Sequence, residues 1–91
     1  MYEEVIKYYG KEAQHRQAME EAGEFIQAVN KVLRNPCEDT RSHLIEEIAD
    51  LSILIDQLEE MHNITRKEVL ACRMFKENRL FKIVERGKKD A

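Results

Sequence analysis

The chain contains a single proline, Pro36, which lies between two long helical patterns. Before it, from Lys11 to Arg34, apolar residues recur at every third or fourth position, which predicts a helix with one buried stripe. After it, a second helical pattern runs from about Thr40 to His62. Because the residue before a proline is disfavoured in the helical conformation, Asn35-Pro36 should end the first of these helices. The sequence therefore predicts an antiparallel helical hairpin that turns at Asn35-Pro36.

Shorter signals predict one more helix on each side of this hairpin. Gly10 should separate a first helix, about Tyr2 to Tyr9, from the long second helix. Thr65-Arg66-Lys67-Glu68 matches a capping box and should start a fourth helix, with Gly87 as its C-terminal cap and a frayed tail beyond it. No stretch shows the alternation of a β-strand. We therefore expect an all-α fold, a compact helical bundle around the long hairpin, in a single domain over residues 1–91.

The third predicted helix is apolar around most of its circumference. Its apolar residues are Leu44, Ile45, Ile48, Leu51, Ile53, Leu54, Ile55 and Leu58. Such a helix needs cover on more than one side, which a chain of 91 residues can hardly provide by itself. The pattern therefore predicts a homo-oligomer, either a homodimer or a dimer of dimers.

Composition excludes several classes of protein. With 43% apolar residues, 36% charged residues and a net charge of −3, the chain is typical of a soluble helical domain and does not favour binding of a nucleic-acid polymer. The longest apolar run, around Leu51 to Leu54, is too short to span a membrane. Cys37 and Cys72 lack the spacing of a zinc site, and the N-terminus lacks the features of a signal peptide. We therefore expect reduced thiols and a cytoplasmic location.

Two clusters of acidic residues lie on the arms of the predicted hairpin, Glu20-Glu21-Ala22-Gly23-Glu24 and Glu46-Glu47-Ile48-Ala49-Asp50. Acids at positions i and i+3 share one helix face, and residues equally far from the turn should lie opposite each other. Glu21 should then face Asp50, and Glu24 should face Glu47. Four carboxylates at one level repel each other unless cations or protons compensate them. Because carboxylates are hard oxygen ligands, they favour Mg²⁺ or Mn²⁺, and thus metal-dependent phosphate chemistry.

The surroundings of these acids favour a metal site over a solvated helix face. Glu47 shares a flank with Leu54 and Leu58, so it should be partly buried, yet the residues opposite it are acids and not Lys or Arg. Gly23 costs roughly 1 kcal/mol relative to alanine inside a helix and leaves room for a neighbouring helix or a ligand. In the alternative interpretation the acids are merely solvated or bind a basic partner, and the protein is a non-catalytic helical interaction module.

At these residues the chain resembles the MazG-like, all-α nucleoside triphosphate pyrophosphohydrolases, whose superfamily also includes dimeric dUTPases and phosphoribosyl-ATP pyrophosphohydrolase. The family signature, ExxE followed by ExxD, is matched by E-A-G-E at Glu21–Glu24 and E-I-A-D at Glu47–Asp50, with 22 residues between them. The flanking M-E-E-A-G-E-F and L-I-E-E-I-A-D-L and the upstream Y-G-K-E-A-Q are similar too. The resemblance extends from about Tyr8 to Arg86.

This resemblance implies hydrolysis of a nucleoside or deoxynucleoside triphosphate to the monophosphate and pyrophosphate. Mg²⁺, or Mn²⁺, would be bound by the family's four acids, which here are Glu21, Glu24, Glu47 and Asp50. A metal-activated water would attack the α-phosphorus, with Glu24 as a candidate base and Glu47 as the other catalytic residue. Phosphoribosyl-ATP pyrophosphohydrolase is the alternative enzyme, although we find no N-terminal segment like that of this enzyme.

Candidate substrate-binding residues lie outside the acidic motifs. Gln14 and Gln17 share the helix face of Glu21 and Glu24, so they could read a base edge or simply face solvent. Gln14 also matches a frequent family glutamine. Lys76 and Arg79 belong to K-E-N-R, which resembles the family's C-terminal basic segment. They lie at i and i+3, where they could meet phosphates or be ordinary surface cations. Asn78 and Lys82 are weaker candidates of the same kind.

Two E-x-x-H pairs, Glu12 with His15 and Glu59 with His62, raise a di-iron helical bundle as a competitor. Each pair is nine positions from an acid of the predicted metal site, which is about 180° around a helix. The pairs should therefore point away from that site. We expect His15 to be a core histidine with a hydrogen-bond partner, and His43 and His62 to be surface residues.

Overall fold

The computed structural model describes residues 1–90 and contains four helices in this range. They are α1 (Glu3–Tyr9), α2 (Lys11–Arg34), α3 (Glu38–Met61) and α4 (Arg66–Asp90). The described residues include no β-strand, which confirms the all-α prediction. None of these four helices is long and apolar enough to cross a membrane.

The predicted hairpin is formed by α2 and α3. Helix α2 has the predicted bounds, whereas α3 begins two residues earlier than predicted, at Glu38. The reason is local capping, because the Cys37 N–H donates to the Thr40 hydroxyl oxygen at 3.1 Å. The same hydroxyl donates to the backbone carbonyl of Asn35 at 2.9 Å, which closes the turn between the helices. The turn at Asn35-Pro36 is thus confirmed.

Helix α1 folds back against the hairpin at Gly10. This glycine has a φ of 95°, a conformation that side chains with a Cβ rarely adopt, so it separates the two helices as predicted. The buried side chain of α1 is Ile6. The Glu60 carboxylate accepts hydrogen bonds from the Met1 ammonium at 3.0 Å and from the Tyr2 N–H at 3.1 Å, which ties the start of the chain to the end of α3.

The core between these helices is small and partly polar. Its buried apolar residues are Ile6, Ala18, Ala28 and Leu54, and its buried polar residues are Gln14, Glu47 and Gln57. Large apolar side chains of α3 remain exposed, among them Ile45, Ile48, Ile53 and Ile55. One chain therefore leaves much of the apolar surface of α3 in contact with solvent.

Helix α4 begins as predicted but does not end as predicted. The Thr65 N–H donates to Glu68 Oε2 at 2.7 Å and the Glu68 N–H donates to Thr65 Oγ1 at 3.2 Å, which confirms the capping box. The predicted stop at Gly87 is wrong, because Gly87 does not adopt the left-handed conformation of a helix cap and the helix continues to Asp90. Residues 88–90 of the predicted frayed tail are helical, and Ala91 lies outside the described residues.

The expected compactness is not found in the single chain. The radius of gyration is 17.1 Å, against about 12 Å for a compact chain of this length. Helix α4 causes the difference, because none of its residues is buried. Its cross-helix ion pairs come from Arg66 in its first turn, which lies 2.9 Å from Asp56 and 3.2 Å from Glu59. The bundle is thus formed by α1 to α3, and no other helix among residues 1–90 buries the apolar residues of α4.

Candidate functional site

Three carboxylates converge near the middle of the hairpin. One oxygen each from Glu21, Glu47 and Asp50 lies within 4.8 Å of the other two. Glu21 comes from α2, while Glu47 and Asp50 lie one turn apart on α3. We refer to these three side chains as the carboxylate cluster. Glu21 and Asp50 were predicted to face each other across the hairpin, and the structure brings them together.

Burial within the carboxylate cluster increases from Asp50 to Glu47. Asp50 is exposed, Glu21 is half-buried, and Glu47 is only 7% exposed. Glu21 Oε2 and Glu47 Oε2 are buried and find no hydrogen-bond partner among the described residues. Anionic oxygens removed from water without a partner are unfavourable, so a cation or a proton must compensate them. The buried oxygens of Glu21 and Glu47 and the exposed carboxylate of Asp50 are hard oxygen ligands, which suit Mg²⁺ or Mn²⁺.

The electrostatic surroundings raise the pKa of Glu21 above its ordinary value. Burial of the carboxyl is the main cause, and the negative charges of Glu24 and Asp50 act in the same direction. A hydrogen bond opposes this effect, because Gln17 Nε2 donates to Glu21 Oε1 at 2.9 Å. No ion pair among residues 1–90 involves a member of the carboxylate cluster. The acids therefore meet other acids, as the sequence indicated, and no Lys or Arg neutralises them.

Glu24, the fourth predicted ligand, lies at the edge of this site. Its side chain is exposed, and its carboxylate does not belong to the carboxylate cluster, whose oxygens lie within 4.8 Å of one another. It is nevertheless close enough to Glu21 for its charge to raise the pKa of that residue. The structure thus brings three of the four predicted acids together and leaves Glu24 beside them, facing solvent.

The two glutamines of α2 have different surroundings. Gln14 is buried, and its Nε2 donates to Gln57 Oε1 of α3 at 2.8 Å. Its amide is therefore engaged in the core, two helical turns before Glu21, and it does not face solvent. Gln17 is the glutamine that contacts the carboxylate cluster. The sequence placed Gln17 on the helix face of Glu21, and the spacing of four positions between the two residues accounts for this contact.

The predicted basic residues are not brought to the carboxylate cluster within one chain. Lys76 and Arg79 are exposed on α4, and the shallow cavities that they line are formed by α4 residues alone. Gly23, between the acids of α2, has no side-chain or neighbouring-helix atom within 4 Å of the position that a Cβ would occupy. No other helix of the chain therefore packs closely against α2 at this glycine.

The carboxylate cluster contains no histidine, which agrees with the predicted orientation of the E-x-x-H pairs. The structure instead places the imidazoles of His15 and His62 next to each other, with Nε2 atoms 2.8 Å apart. His15 has the predicted hydrogen-bond partner but is only half-buried and does not belong to the core. His62 is exposed as predicted, whereas His43 is half-buried. The proximity of His15 and His62 was not predicted.

No protein-family model matches this chain, and no curated protein or solved structure shows significant similarity to it. The resemblance to the MazG-like family therefore depends on the acidic motifs, their order and their spacing.

Proposed function

We propose that this protein is a Mg²⁺-dependent nucleotide pyrophosphohydrolase, which converts a nucleoside or deoxynucleoside triphosphate and water to the monophosphate and pyrophosphate. The observation that carries the proposal is the carboxylate cluster, in which buried oxygens of Glu21 and Glu47 lack any hydrogen-bond partner among the described residues. Acids gathered without a neutralising Lys or Arg need a cation or a proton, and a triphosphate substrate is normally bound together with a divalent cation.

Glu21, Glu47 and Asp50 would hold the cation. Bound there, Mg²⁺ would neutralise phosphate charge and lower the pKa of a coordinated water. The exposed carboxylate of Glu24, beside Glu21, would accept the proton of the attacking water. Gln17 would keep the Glu21 carboxylate oriented through its 2.9 Å hydrogen bond to Oε1, which leaves Oε2 without a hydrogen bond and available to the cation.

The proposal includes assembly of the chain into a homodimer or a dimer of dimers. Exposed apolar residues on α3 and along the unburied helix α4 support this part of the proposal. In the single chain Lys76 and Arg79 lie away from the carboxylate cluster, so their proposed contact with phosphates depends on how α4 is placed in the assembly. The buried amide of Gln14 would act on the substrate only indirectly, by fixing the packing of α2 against α3.

The same exposed apolar surface also supports a non-catalytic helical interaction module as the second candidate function. Helix α4 presents Leu70, Phe75, Leu80, Phe81, Ile83 and Val84 to solvent, and a helix of this kind needs a partner. The two candidates differ in what they require of the acids. An enzyme needs Glu47 as a charged ligand, whereas an interaction module does not need metal at all.

The direct test is pyrophosphate release with Mg²⁺ from the standard and common modified nucleoside triphosphates, with phosphoribosyl-ATP as a further substrate. Glu47→Gln is the inactivating variant. Glu46→Gln is the matched control, since Glu46 is an exposed neighbour on the same helix and lies outside the carboxylate cluster. We expect turnover of one or a few nucleotides by the parent and by Glu46→Gln, and none by Glu47→Gln.

Release from phosphoribosyl-ATP alone would assign the alternative enzyme of the same superfamily. No release from any of these substrates, with Mg²⁺ or Mn²⁺ present, would reject the enzymatic proposal and favour the interaction module.

A further inference from the structure

Two histidines meet at the end of the hairpin opposite to its turn. His15 lies in the second turn of α2, and His62 directly follows Met61, the last residue of α3. Their Nε2 atoms are 2.8 Å apart, and their ring planes are nearly perpendicular at 87°. The two imidazoles therefore face each other at hydrogen-bond distance, through ring nitrogen atoms of a kind that also binds metal ions.

The backbone determines which nitrogen of His15 carries the proton. His15 Nδ1 lies 2.7 Å from the carbonyl oxygen of Lys11, which can only accept a hydrogen bond. Nδ1 must therefore be the donor, and neutral His15 directs the lone pair of Nε2 towards His62. Among the described residues His62 Nδ1 has no hydrogen-bond partner, so His62 can take its proton there and free its own Nε2. In the other tautomer His62 Nε2 donates to His15 Nε2 across the 2.8 Å contact. In the form with both Nδ1 atoms protonated, two nitrogen lone pairs converge on one point, and a metal ion can take the place of the shared proton.

We propose that His15 and His62 form a second metal site, which binds a divalent transition-metal ion such as Zn²⁺ or Cu²⁺ through their two Nε2 atoms. Zn–N bonds of about 2.0–2.1 Å place two ligand nitrogens about 3.3 Å apart on a tetrahedral ion. The present separation of 2.8 Å needs to widen by only about half an ångström to reach this value. The bond from His15 Nδ1 to a backbone carbonyl is the outer contact that commonly orients a ligating imidazole.

Each of the two nearby carboxylates lies beside an arginine, which favours ligation by nitrogen. Glu12, one turn before His15, accepts a hydrogen bond from Arg16 at 2.9 Å. Glu59 Oε2, one turn before His62, lies 3.2 Å from the Arg66 guanidinium in an ion pair, although it accepts no hydrogen bond from any described residue. No ion pair among residues 1–90 involves either imidazole, and His62 is exposed, so water can complete the coordination. Imidazole ligands prefer Zn²⁺ and Cu²⁺ to Mg²⁺, so this site differs chemically from the carboxylate cluster.

An ion at this site would join the start of α2 to the end of α3. These helices are held together by few buried side chains, so a link between them should stabilise the open end of the hairpin. This inference does not depend on the proposed enzymatic function, because it uses none of the acids assigned to that function.

The test is calorimetric titration with Zn²⁺ in the Glu47→Gln background, which removes the principal ligand of the carboxylate cluster. His15→Gln and His62→Gln each delete one imidazole, and His43→Gln is the matched control, since His43 lies near the start of α3 and outside the pair. We expect one Zn²⁺ per chain, with affinity reduced at least about tenfold in the two test variants and unchanged in the control. Equal affinity in either test variant, or an equal loss in the control, would overturn the proposal.

Electron paramagnetic resonance of bound Cu²⁺ provides a readout that needs no variant. Two imidazole ligands should split the signal through their nitrogen nuclei, whereas a purely oxygen-ligated ion shows no such splitting. Helix content measured by circular dichroism checks that each variant folds. His62→Gln is the safer variant because His62 is exposed. A Cu²⁺ spectrum without nitrogen coupling would overturn the proposal whatever the titration of the variants shows.

Discussion

Replacing Glu47 with glutamine should stabilise the metal-free protein. Glu47 is 7% exposed, its Oε2 has no hydrogen-bond partner among the described residues, and carboxylate oxygens of Glu21 and Asp50 lie within 4.8 Å of its carboxylate. At this distance two negative charges repel by about 1 kcal/mol in water and by about 3.5 kcal/mol at an effective dielectric constant of 20. Because Asp50 is exposed and screened, we expect the free energy of unfolding to rise by about 1–3 kcal/mol in total.

Glutamine is a suitable replacement because it keeps the shape of the side chain and removes only the charge. Its amide can also donate hydrogen bonds to the neighbouring carboxylates, which the parent residue cannot do. Each 1 kcal/mol of stabilisation should raise the Tm of a domain of this size by about 4–8 °C. Thermal unfolding followed by circular dichroism in EDTA measures this shift.

Measured in Mn²⁺ or Mg²⁺ instead of EDTA, the Tm of the parent should rise relative to the Tm of Glu47→Gln. At a metal concentration a hundred times the Kd, the parent gains about 2.7 kcal/mol of stability from binding. The Glu47→Gln variant has lost its most buried ligand and should gain much less. We therefore expect the variant to have the higher Tm in EDTA, and the parent to overtake or equal it when metal is present.

Glu46→Gln controls for the general effect of removing one negative charge. Glu46 is exposed on α3 and outside the carboxylate cluster, so its replacement should change stability by no more than about 0.5 kcal/mol. The reasoning would be refuted if Glu47→Gln destabilised the protein in EDTA. It would also be refuted if metal stabilised Glu47→Gln as strongly as the parent.

The pKa of Glu21 is raised in the folded protein, so the protonated Glu21 carboxyl stabilises the fold in EDTA at low pH. This contribution to the free energy of unfolding should be lost as the pH rises from the ordinary pKa of 4.5 through the raised pKa of the folded state. Urea unfolding across this range should show the loss in the parent and in the exposed control Glu20→Gln, but not in Glu21→Gln. Gln14→Ala should lower the free energy of unfolding by about 1–3 kcal/mol, because it leaves the side-chain amide of Gln57 unpaired in the core. Replacing both Gln14 and Gln57 with leucine should lower it less, and chemical denaturation measures both changes. Gly23→Ala should raise the free energy of unfolding by about 0.5–1 kcal/mol, because no side-chain or neighbouring-helix atom lies within 4 Å of the added methyl group. A lower stability of this variant would mean that a second chain packs against α2 at this point.

Local signals in the sequence were enough to predict most of the secondary structure. Gly10 and Pro36 interrupt helices because of their own backbone restrictions, and Thr65 with Glu68 caps a helix through contacts within four residues. The early start of α3 and the absence of a stop at Gly87 show the limit of such signals, since a cap forms only where the neighbouring backbone adopts the required conformation.

The carboxylate cluster could be predicted in part because a hairpin with a known turn brings residues at equal distance from that turn together. This geometry correctly placed Glu21 near Asp50. It could not show that Glu24 remains exposed, because the rotation of α2 about its axis depends on which side chains pack against α3. The same packing buries the amide of Gln14 against Gln57, where spacing alone left its surroundings open.

The amino-acid sequence by itself determined the all-α class, the hairpin and the identity of the acids on its two arms, because these features follow from backbone restrictions and helical periodicity. Only the tertiary structure decided that His15 meets His62 and that α4 leaves the bundle. Both outcomes depend on the path of the chain beyond the helix ends and on how much apolar surface of the other helices α4 can contact. Those are long-range properties that the spacing of residues along one helix does not contain.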